Sequence, residues 1–181
     1  MTLPEILKKK KETITERWLE EIYAAYPENV SSFIKRQKDQ FANPVGHALR
    51  KGAAAILDCL IEGWDADSIR GDLEEIIKIR ALQCALPSQA VSFIHFLKNI
   101  VRTELVDYSH NQELYPQLTE FEDKLAQITL LAFDIYTKCR EKIYELRVNE
   151  VKRNVSAIMR KFNNADTDSV VEQISGNINI E

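Results

Sequence analysis

The chain has 181 residues, 45% of them apolar, and a formal net charge of −4, which suits one core of ordinary size plus a tail and gives no general attraction for nucleic acid. It contains no run of eighteen uncharged apolar residues, so nothing reads as a membrane span, and its start, MTLPEILKKKKET, lacks the apolar stretch a secretory signal needs. Cys59, Cys84 and Cys139 are odd in number and share no CxxC spacing, which fits small core or flank residues in a reducing cytoplasm.

Only five glycines and five prolines are present, so long helices with short connections are expected. Thr2-Leu3-Pro4-Glu5 reads as a capping box that opens a helix from Pro4 to Tyr26. Its apolar set is Leu7, Ile14, Trp18, Ile22 and Ala25, and Lys8 to Lys11 form a solvated basic stretch. Pro27-Glu28-Asn29 breaks the helix, and Val30 to Gln37 makes a short one. Asn43 then caps a helix with Pro44 at its first position. Val45, Leu49, Ile56, Cys59 and Leu60 form its stripe, which Gly52 and Ala53 thin for the close approach of a neighbour. Gly63-Trp64 ends it. Asp65 or Asp67 caps the next helix, which runs to Ala85, and Pro87 opens another that lasts to Tyr108.

A loop from Ser109 to Pro116 leads into a long helix reaching Phe162. Leu118, Phe121, Leu125, Ile128, Ala132, Ile135 and Cys139 step by three and four, and Val148, Val151, Val155, Ile158 and Phe162 do the same out of phase with them. The first set closes the core. The second is expected to project beyond it and bury its stripe against another chain, giving a homodimer. The organisation read from the sequence is therefore a helical domain over 1–145, a dimerising extension of the last helix over 146–162 and a flexible polar tail over 163–181.

Helical wheels single out a few polar groups. Leu73, Ile76, Ile77 and Cys84 define one buried stripe, with Arg80 in its middle and Gln83 at its edge. Ala90, Phe93, Ile94, Leu97, Val101 and Leu105 define the next, into which Glu104 intrudes. A buried guanidinium needs a partner, so an Arg80–Glu104 pair is expected. Arg80, Gln83, Ser88, Gln89 and Glu104 are the candidate ligand-binding residues. They either satisfy one another and fix how two helices meet, or line a small pocket for an anionic or polar ligand at the start of the Pro87 helix. His47 and His95 fall on polar faces and His110 in a loop, so none is placed to hold a haem, and no cofactor is expected. Phosphate loops, HExxH, GxSxG and clustered Cys/His ligands are absent, and the expectation is a protein that is not an enzyme.

Several strings point further: Arg17-Trp18-Leu19 with Tyr26-Pro27-Glu28, Phe41-Ala42-Asn43-Pro44-Val45-Gly46-His47, Arg80-Ala81-Leu82-Gln83, Pro87-Ser88-Gln89-Ala90-Val91, Phe93 and Leu97-Lys98. In order, from Glu5 to Glu145, the chain resembles the N-terminal domain of RsbRD-type co-antagonists of the RsbT kinase. The resemblance implies an all-α, globin-like bundle of six to seven helices without haem, dimerising partly through a long C-terminal helix that extends beyond the core. It also implies a regulatory sensor in bacterial stress signalling, with a regulatory protein partner and room for a small ligand. In fuller members that helix feeds a STAS domain. The sequence leaves no length for one, so the phosphorylation site and kinase contact of those proteins are not carried over. Leu86 also departs from the Ser or Thr cap that would suit the Pro87 helix.

Overall fold

Apolar spacing of three and four residues, punctuated by proline and asparagine, predicts an all-helical chain, and the computed structural model is one. It describes residues 1–63, 65–83, 86–108 and 110–176, with side chains through 160. Trp64, Cys84, Ala85, Ser109, the Phe162 side chain and the side chains of the expected tail lie outside the described residues. Seven α-helices occur among those described: α1 (Leu3–Lys9), α2 (Lys11–Ala24), α3 (Glu28–Arg36), α4 (Pro44–Glu62), α5 (Arg70–Gln83), α6 (Pro87–Glu104) and α7 (Leu114–Gly176), with a short 3₁₀ turn at Val106–Tyr108. Two compact units result, Met1–Cys139 and a second that begins at Arg140, and α7 is divided between them.

The single helix expected from Pro4 to Tyr26 is interrupted at Lys10, where φ is −101° and ψ 12°. The Lys10 ammonium reaches the carbonyl oxygen and the carboxylate of Glu104, each at 2.9 Å, a contact no local pattern announces. Leu3, Ile6, Leu7, Ile14, Trp18, Ile22 and Tyr23 are buried along α1 and α2, whereas Ala25 is exposed. Neither aspartate caps α5 directly. Asp65 accepts from the Asp67 amide at 3.0 Å and so shapes the turn before the helix. The Pro87 helix stops at Glu104, short of Tyr108, and Leu86 offers its N-terminus no side-chain cap.

Asn43 is the cap the sequence promises, and it does more. Only 2% exposed, it accepts from the Gly46 amide at 2.8 Å and donates to the carbonyls of Ile34 at 3.0 Å and Gln37 at 2.8 Å. One side chain thus satisfies the start of α4 and the end of α3 together. A Cβ on residue 46 would run into the Asn43 amide, so the cap itself demands the glycine that stands three residues after it. At Gly52 a Cβ would meet the Ile76 side chain and lie 3.3 Å from the Asp72 carbonyl; the missing side chain lets α4 and α5 approach closely, as the thinned stripe predicts.

In the first unit α2 packs on α6 and α4, α4 also meets α1 and α5, and α5 meets α6. Trp18 and Phe93, both fully buried, stack at 6.1 Å, and the Trp18 indole N–H donates to the Phe93 carbonyl at 2.7 Å. From α7, Phe121, Leu125, Ile128, Ala132 and Ile135 join this core as the first seam requires, with Leu118 and Cys139 partly buried. In the second unit Val148, Val151, Val155 and Ile158 are between 50% and 61% exposed.

Candidate functional site

An arginine in the middle of an apolar stripe must be stabilised by acceptors within reach, and α6 supplies them. Arg80, 3% exposed, donates from Nε to the Ala90 carbonyl at 2.8 Å and from Nη2 to the Gln89 carbonyl at 2.7 Å. Its Cζ lies 5.6 Å from the centroid of the Phe93 ring, a cation–π arrangement that further offsets the loss of water. Phe93 is therefore flanked by both Arg80 and Trp18. Beside the guanidinium is a pocket of about 290 Å³ lined by Ala25, Tyr26, Pro27, Val30, Arg80 and Gln83. Most of its wall is apolar, and no acidic residue lines it.

The expected Arg80–Glu104 pair does not form. Arg80 bonds in the first turn of α6 and Glu104 closes that helix, about 21 Å away along the axis at 1.5 Å per residue. Glu104 instead holds Lys10 at 2.9 Å and Arg17 at 2.5 Å, which ties α1 and α2 to the far end of α6. The candidate residues thus separate: Arg80 and Gln83 share the pocket, Gln89 contributes its backbone carbonyl, and Ser88 and Gln89 expose their side chains. The three histidines are all exposed.

Glu122 repeats the Glu104 arrangement on α7, with Lys98 at 3.0 Å and Arg102 at 2.6 Å. Apart from Glu104 itself, neither cluster is legible in the sequence, because the partners lie on other helices and no spacing along the chain joins them. The hydrogen bond from Lys10, then that from Arg17, holds the Glu104 carboxyl below its ordinary 4.5. That from Arg102 leads for Glu122. A carboxyl whose pKa is lowered by folding contributes stability above its unfolded value and loses it as pH falls through the folded one. Urea midpoints measured from pH 7 to 3 are therefore expected to hold down to about pH 5 and then fall, and in Glu104→Gln/Glu122→Gln the fall should be shallower. An equally steep fall in the double variant would remove these two carboxyls from the account.

The family model described as the RsbT co-antagonist protein RsbRD N-terminal domain matches residues 12–151. The chain belongs to this family. The match runs from α2 into α7 and takes in every residue of the Arg80 pocket, along with Val148 and Val151. No curated protein matches the chain, and no solved structure does. Membership places this RsbRD N-terminal domain among the regulatory signalling modules of partner-switching stress response. No described helix is long and apolar enough to cross a membrane.

Proposed function

We propose that this chain is a non-enzymatic sensory module of cytoplasmic stress signalling that works as a homodimer through the second-unit face of α7 and passes its state to a regulatory protein partner. The observation that carries the reading is the stripe Val148, Val151, Val155 and Ile158, at helical steps of three and four and at least half exposed. Four aliphatic side chains in one line are costly to leave in water, and burying each is worth about 1.5–3 kcal/mol. The flanking Lys152 and Arg153 keep such a helix soluble until it pairs. The Arg80 pocket is where a small ligand would enter this scheme. The two carbonyl bonds of Arg80 favour a second reading, an accessory protein in which the arginine only locks α5 to α6.

The test is the oligomeric state. Light scattering after size exclusion should give a dimer for the wild type and a monomer for Val151→Glu/Val155→Glu at the same concentration, with unchanged helical circular dichroism. Two charges facing each other across the seam should weaken the dimer by at least about 100-fold. A wild type that stays monomeric at high concentration, or a double variant that stays dimeric, sinks the proposal.

A further inference from the structure

Arg80 is 3% exposed, and among the described residues only two of the five N–H groups of its guanidinium are used on protein acceptors. Nε and Nη2 share one edge of the planar group, and each gives one hydrogen to a carbonyl of α6. Among the described residues neither the two hydrogens of Nη1 nor the second hydrogen of Nη2 has a protein acceptor, and no carboxylate pairs with the charge. That end edge presents two parallel N–H groups, the geometry a carboxylate accepts in bidentate fashion. Carbonyl dipoles alone compensate a buried cation incompletely. The acceptors also belong to the first turn of α6, whose partial charge is positive and therefore adds to the demand for an anion.

The remaining wall sets the rest of the ligand. Ala25, Pro27 and Val30 are apolar, the Tyr26 ring adds a flat surface, and Gln83 brings an amide to the lining. A volume of about 290 Å³ corresponds to about ten groups of the size of a water molecule, ample for a small organic acid. One cationic charge, with no lysine, histidine or second arginine in the lining, matches a single negative charge.

We infer that the pocket at Arg80 binds a small monocarboxylate with a short apolar tail, its carboxylate on the Nη1/Nη2 edge and its tail between Pro27 and Val30. The inference rests on the ligand-binding part of the proposed function and names the ligand's class.

Sodium butyrate, butyramide and inorganic phosphate serve as probes on the full chain, read by ¹H–¹⁵N correlation spectra and by melting temperature. Butyrate should shift the Arg80 Nε–H signal and the amides of Tyr26 and Gln83 saturably. It should also raise Tm by about 3 °C at ten times its dissociation constant, while butyramide and phosphate should do neither. Val30→Trp, a change at the pocket mouth that leaves Arg80 and its carbonyls in place, should abolish the butyrate response; Arg80→Met should do so as well if it folds. Equal responses to butyrate and butyramide would overturn the carboxylate assignment yet leave a ligand pocket standing. Equal or stronger responses to phosphate would overturn the monocarboxylate class in favour of a general anion site. No local shift with any probe, or a butyrate response untouched by Val30→Trp, would overturn both the assignment and the ligand role of this pocket.

Discussion

Trp18→Ala is expected to cost about 3–5 kcal/mol of unfolding free energy, a large fraction of the stability of an ordinary domain. The indole is wholly buried, stacks on Phe93 with an interplanar angle of 17°, and donates to the Phe93 carbonyl. Alanine would leave a cavity on one side of Phe93 and remove the indole hydrogen bond, while the Phe93 carbonyl keeps its bond within α6. Trp18→Phe separates the two effects: it keeps most of the packing and loses the hydrogen bond, and should cost about 1–2 kcal/mol. Urea unfolding followed by far-ultraviolet circular dichroism gives both numbers. A cost below about 2 kcal/mol for alanine would mean that the core relaxes around the gap. The result also bears on the pocket, because Arg80 rests against the same Phe93 ring. Removing Trp18 frees the ring on which the guanidinium is aligned.

Asn43→Ala should cost about 2–4 kcal/mol, combining a lost helix cap with buried carbonyls stripped of their donor. Arg50 limits the loss, since it reaches the Ile34 carbonyl at 3.3 Å and the Gln37 carbonyl at 3.5 Å and still covers them in part. Asn43→Asp provides the internal control. It keeps the acceptor for the Gly46 amide but places a carboxylate against two carbonyls, so it should fall well below wild type despite being an excellent cap in isolation. Differential scanning calorimetry of the two variants distinguishes a cap that serves only α4 from one that joins two helices. An aspartate variant as stable as wild type would leave only the α4 role.

Much of this fold is legible in the sequence because helical cores repeat. The stripes of α4, α5, α6 and the first part of α7 are buried as their spacing requires, with Val45, Cys59, Leu118 and Cys139 partly so and Cys84 outside the described residues, and Asn43-Pro44 and Pro87 start helices where expected. Arg80 is also legible, as a charge on an apolar face. Its partners are not, since backbone carbonyls leave no trace in side-chain patterns, and the carboxylate that the wheels offer it, Glu104, sits at the wrong end of α6. The break at Lys10 is hidden for a related reason: lysine is a good helix former, and the contact that holds it lies on another helix. The pocket at Arg80 is assembled from α3, α5 and the turn between α2 and α3, a juxtaposition that only tertiary packing creates.

The joint between α3 and α4 has a consequence for how this sequence can vary. A side chain at position 46 collides with the Asn43 amide, whose carbon would lie 2.8 Å from the added Cβ. The two positions therefore cannot drift independently. Any larger residue at 46 must be preceded by a shorter cap at 43, serine for instance, and that cap could no longer reach the end of α3. A lineage that loses Gly46 must first find another way to hold the carbonyls of Ile34 and Gln37, and Arg50 is already within reach of both.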